Sequence, residues 1–91
     1  MRLTASELHA RGAAAANARR FAAARRDLAA AAARASDDDL RARVDGTGAY
    51  VLAQTGHPAE AEILVREALS RPGLTPETSA LLRGQLGTLL V

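Results

Sequence analysis

The 91-residue chain has no cysteine, no lysine and no tryptophan, and Phe21 and Tyr50 are its only Phe, Tyr or Trp residues. Without cysteine there is neither a disulfide nor a thiolate metal site. With so few aromatic rings there is no platform on which nucleic-acid bases could stack. Strand-favouring residues are scarce, and no apolar run approaches the ~18–20 residues that a bilayer span requires. The opening "MRLTASELHARG" lacks the apolar stretch of a secretory signal. "NARRFAAARRDLAAAAARA" (17–35) has a superficial twin-arginine look, but Arg25, Arg26 and Asp27 break up the segment that should be apolar. The expected location is therefore cytoplasmic.

What is present is alanine, leucine and arginine. Alanine is the best helix former and allows close helix approach, but it contributes little apolar area. The expectation is an all-α fold. One small domain spanning 1–91 is all that this length supports, and such a chain buries only about 60–65% of its unfolded surface. All twelve basic residues are arginine, which beside so much alanine points to a high-GC genome rather than to a function. The charge is unevenly spread. Residues 1–36 carry seven Arg against Glu7 and Asp27, a balance of +5, and residues 37–91 carry five Arg against eight acids, a balance of −3, which together make the net +2.

Helix start and stop signals recur along the chain. Thr4 and Glu7 have capping-box spacing. Ser36-Asp37-Asp38-Asp39 places caps and negative charge ahead of Leu40. His57-Pro58-Ala59-Glu60 and Thr75-Pro76-Glu77 put proline in the first helical position, and Gly56 and Pro72-Gly73 are stops. These signals predict five helices at about 5–17, 21–35, 38–54, 58–70 and 76–90. Apolar stripes at helical spacing run through Phe21, Ala24, Leu28, Ala31 and Ala35, through Leu40, Val44, Thr47 and Val51, and through Ala61, Leu64, Val65, Ala68 and Leu69.

The pattern repeats. Ala24, Leu28 and Ala31 fall on Ala61, Val65 and Ala68 at an offset of 37, Gly12 falls on Ala49, and a step of 38 takes Ala49 to Gly87. Two helices per unit and a period in the high thirties are the mark of stacked helical repeats. "YVLAQTGHPAEAEILVREALSRP" (50–72), with Gly56 at the turn, Ala61, Val65 and Ala68 spaced 4 and 3, and Pro72 near the close, resembles the tetratricopeptide repeat (TPR). Leu8, Gly12, Ala24, Leu28 and Ala31 match in the first unit, whereas Arg19 stands at the turn glycine and Arg11 at an apolar position; in the second unit Asp45 stands at an aromatic position. The resemblance implies antiparallel helix-turn-helix units at about 4–36 and 40–73 and a partial unit at 75–91. "LLRGQLGTLLV" (81–91) is similar to arrays found ahead of CHAT caspase-like protease domains in high-GC bacteria, which implies a fragment of a larger protein.

Catalytic and metal readings are weak. His57 with Glu60 and Glu62 reads as a turn followed by a helix start, because His57 precedes the helix and no second His or Cys is near. His9 has no evident acid–base partner. Asp37–Asp39 lack the later Gly and Glu of a calcium loop, and Gly46-Thr47-Gly48 follows no strand and precedes no lysine. The expectation is no enzyme activity, no cofactor and no metal.

The TPR resemblance implies a concave groove that binds a peptide, a partner domain or another domain of the same protein. It assigns Ser6, His9, Ala13 and Asn17, then Arg43, Thr47, Tyr50 and Gln54, then Gln85 and Thr88 to that groove. Tyr50 is the aromatic anchor. The alternative is an Arg-rich helical nucleic-acid-binding domain, with Arg19 and Arg26 on one face of their helix and Arg20 and Arg25 diverging. Leu81, Leu82, Leu86, Leu89, Leu90 and Val91 crowd one helix, which predicts self-association of a homo-oligomer through Leu86, Leu89 and Leu90.

Overall fold

A computed structural model describes residues 2–90, so Val91 lies outside the described residues. Among the described residues five helices follow one another: α1 (Ala5–Asn17), α2 (Phe21–Arg34), α3 (Asp38–Gln54), α4 (Pro58–Leu69) and α5 (Pro76–Leu89). No strand occurs among the described residues, and none of their helices is long and apolar enough to cross a membrane.

The helices start where side chains supply the missing acceptors. Thr4 Oγ1 accepts from Glu7 N–H at 3.1 Å while Glu7 Oε1 accepts from Thr4 N–H at 2.8 Å, a complete capping box. Asp37 accepts from Leu40 N–H at 2.6 Å, and Thr75 accepts from Thr78 N–H at 3.2 Å. Neither Arg20 nor His57 caps its helix with its side chain. Both are occupied otherwise, closing the preceding helix.

The α1–α2 and α3–α4 turns close with the same pair of backbone bonds. Arg19 N–H donates to Ala16 O and Arg20 N–H to Ala15 O; at an offset of 37, Gly56 N–H donates to Ala53 O and His57 N–H to Leu52 O. This is the Schellman closure, in which the residue after the cap turns left-handed. Gly56 does so at φ +87° and Arg19 at φ +62°.

α1 packs along α2 and α3 along α4, and the three-residue turns make each pair antiparallel. α1, α3 and α5 form one layer, in which α3 touches both neighbours, while α2 and α4 form a second layer and do not reach each other. A layer whose helices touch, backed by one whose helices are splayed, makes the α1/α3/α5 face the inner side of a curve. The extents of 41 × 30 × 17 Å fit two helix layers.

The predicted stripes of α2 and α4 are buried at Ala24, Leu28 and Ala31 and at Ala61, Val65 and Ala68. For α3 the prediction covers half the truth. Val44 and Val51 enter a core with Leu8 and Leu28, but Ala42 and Ala49 enter a second core with Val65 and Leu82. A helix with partners on both sides has no single stripe. Small residues sit at the crossings: a Cβ on Gly12 would lie 3.0 Å from Leu28 Cδ2, and one on Gly46 3.0 Å from Leu82 Cδ2. Gly87, expected at a third crossing, has nothing within 4 Å of that position, since no helix among the described residues packs there.

On the outer side Arg71 reaches back from the end of α4 to Asp38 and Asp45, both at 3.4 Å. Burial raises the Asp45 carboxyl above its ordinary range, and the nearby Arg71 and Arg41 charges only partly offset this.

Candidate functional site

The inner face is assembled from the first helix of each pair and from α5. Three polar links hold it. His9 Nε2 lies 2.8 Å from Thr47 Oγ1, joining α1 to α3. Thr47 Oγ1 itself donates to Arg43 O at 3.3 Å, so its lone pair accepts from His9 and the imidazole proton is assigned to Nε2. Gln85 Nε2 donates to Gly46 O at 2.8 Å, joining α5 to α3 where Gly46 lets them close. Arg19 Nη1 donates to Gln54 Oε1 at 3.1 Å, covering one end.

Two adjoining hollows open on this face. One of about 270 Å³ lies between α3 and α5, with walls of Ala49, Ala53 and Leu89 and polar groups from Tyr50, Gln54, Gln85 and Thr88. The other, of about 290 Å³, lies across α1, α3 and α5, with Ala13 and Leu81 as walls and Asn17, Thr47, Tyr50 and Gln85 at its edges. Tyr50 and Gln85 line both hollows, which therefore adjoin on one face and together form a trough. The ring of Tyr50 is half-buried against the α1–α3 core. Among the described residues its hydroxyl and the Asn17 amide make no hydrogen bond, the Gln54 Nε2 donor is open, and Thr88 is turned back onto Gly84 O at 3.1 Å.

The fold thus places Asn17, Thr47, Tyr50, Gln54, Gln85 and Thr88 around the trough, with Ala13 in its wall. His9 adjoins it through Thr47. Its own ionisation is pushed below the ordinary histidine range, by burial first and by the Arg43 charge second. Arg43 stands outside the hollows, paired with Asp39 at 3.4 Å, and Ser6 is exposed beyond them. Leu81 was missed as a trough residue. The step of 38 that equates Arg43 with Leu81 would have found it.

The leucine set expected to self-associate divides. Leu86 and Leu89 pack partly against the α3/α4 core, and Leu89 also lines the trough. Each keeps part of its surface exposed while the rest faces that core. Leu90 is 57% exposed, as are Leu81 at 57% and Ile63 at 58%.

The other candidates lie away from this face. His57 is exposed at the entry to α4, with Nδ1 3.4 Å from Thr55 Oγ1, and Glu62 pairs with Arg66 at 2.9 Å. Asp37 caps α3 and Asp39 accepts from Thr75 N–H at 2.8 Å, which together with Thr78 holds its carboxyl below the usual range. Among the described residues no three His, Asp or Glu side chains are grouped to hold a metal ion. No family model, no curated protein and no solved structure matches the chain.

Proposed function

We propose that the chain is a non-catalytic, cytoplasmic protein–protein interaction module of the tetratricopeptide-repeat kind, which binds an extended peptide or a partner domain along the inner face. The single observation that supports this reading is the pair of adjoining hollows on that face, which share Tyr50 and Gln85 as walls. Its chemistry suits a peptide main chain. The Gln54 Nε2 donor, the Gln85 Oε1 acceptor and the Asn17 amide offer both hydrogen-bonding senses, and alanine and leucine walls accept small apolar side chains. A second copy is a further partner on this reading, through the exposed end of α5 around Leu90.

The test uses peptides selected on the chain from a random display library. Tyr50→Ala should weaken their binding about tenfold or more, since a central aromatic anchor carries ~1.4 kcal/mol or more. Arg43→Ala, outside the hollows, should weaken it less and leave the melting temperature nearly unchanged, whereas Tyr50→Ala also removes a half-buried ring and should lower melting while the chain stays folded at the assay temperature. Unchanged affinity in both variants would place the binding surface elsewhere.

A further inference from the structure

The arginines that are adjacent in sequence part company in the fold. Arg19 and Arg25 turn toward the end of α3, where they donate to Gln54 Oε1 and Thr55 Oγ1, each at 3.1 Å. Arg20 and Arg26 instead line a hollow of about 360 Å³ between α1 and α2, together with Arg11 and Asp27. This corrects the helix-wheel expectation that joined Arg19 with Arg26. The left-handed turn at Arg19 sends successive side chains to opposite sides.

We propose that this hollow binds the carboxylates of an acidic peptide segment, held between the guanidinium groups of Arg20 and Arg26. Three arginines face one aspartate there, and that aspartate is already occupied. Asp27 Oδ2 accepts from Arg11 Nε and Asp27 Oδ1 from Arg11 Nη2, both at 2.9 Å, a two-pronged pair that fixes Arg11 and leaves its Nη1 without a bond among the described residues. Arg20 and Arg26 make no ion pair and no hydrogen bond through their side chains among the described residues. Their planar forks match carboxylate geometry. Ala14 and Ala23 form an apolar floor suited to the methylene stem of a glutamate. Charge also selects the occupant. Residues 1–36 are at +5, but Asp27 sits within the hollow and residues 37–91 are at −3, which disfavours a long polyanion and suits a short acidic stretch. The hollow shares no residue with the trough, so this proposal stands or falls separately from that one.

The experiment is fluorescence anisotropy with a fluorescein-labelled hexaglutamate peptide, at low salt and at about 0.15 M. Arg20→Gln with Arg26→Gln should weaken binding about tenfold, while Arg19→Gln with Arg25→Gln, which removes the same charge from the other side of α2, should change it less than about twofold. Tyr50→Ala should leave it unaltered. All four arginines are exposed; Arg19 and Arg25 also give up one bond each to the end of α3, so affinities are compared at a temperature well below the melting point of both double variants. Equal losses in the two double variants would reduce the effect to net charge and overturn the proposal, as would the absence of saturable binding. A single-stranded oligonucleotide that binds more tightly than the peptide at matched salt, with the same Arg20 and Arg26 dependence, would overturn it in favour of nucleic acid.

Discussion

Arg19 and Gly56 occupy one position of a repeated turn, and only one of them suits it. A left-handed conformation costs an L-residue about 1–2 kcal/mol, and glycine escapes that cost while losing more chain entropy on folding. Arg19→Gly should therefore stabilise the chain by about 0.5–1 kcal/mol, and Gly56→Ala should destabilise it by about 1 kcal/mol, both read from urea midpoints. A loss on Arg19→Gly would mean that the Gln54 bond outweighs the strain. His9 has a pH signature. Its folded-state ionisation lies below the ordinary 6.5 because of burial and the Arg43 charge. Above the unfolded value both states are neutral and nothing is lost; as pH falls through it the unfolded chain takes up the proton first, and stability drops until the lower folded value is passed. Between about pH 7.5 and pH 5.5 the urea midpoint should fall, and His9→Gln, which keeps a donor for Thr47, should flatten that part of the slope.

At the scale of helices, most of what was legible in the sequence is local chemistry. Thr4, Asp37 and Thr75 cap where their side chains and spacing say they should, and the helix limits follow to within a residue. The first repeat's turn was harder to read because Arg19 does glycine's work there. α3 was half-read for a different reason: Ala42, Gly46 and Ala49 fill the side opposite Val44 and Val51, and small residues at a close crossing look no different from solvent-facing helix formers. The trough residues on α3 were found by register, while Leu81 escaped notice because a leucine reads as core. The leucines of α5 make the same point. Whether an apolar side chain is core or surface depends on what packs beside it, and the α5 sequence holds both kinds. Leu86→Glu should cost about 1–3 kcal/mol in stability, because it places a charge against the α3/α4 core, whereas Leu90→Glu should leave melting nearly unchanged. If the end of α5 joins two copies, Leu90→Glu also shifts sedimentation toward the monomer across a hundredfold concentration range. A native chain that stays monomeric throughout contradicts self-association.

As a whole molecule, the chain is two layers of helices with different tasks. The α2/α4 layer supplies the alanine-lined backs of both cores, and the α1/α3/α5 layer carries the polar side chains left over from packing. Arg71 and the Arg11–Asp27 pair lie on other surfaces and tie neighbouring helices together without entering the trough. On the proposed function, a peptide lies along the inner face. Nitrogen–proton correlation spectra of the labelled chain, titrated with a library-selected peptide, test this most directly. Shifts should be confined to Asn17, Thr47, Tyr50, Gln54, Leu81, Gln85 and Thr88 and their neighbours, with the exposed faces of α2 and α4 silent. Shifts centred on those faces, around Ala22, Ala29, Ile63 or Glu67, would contradict it.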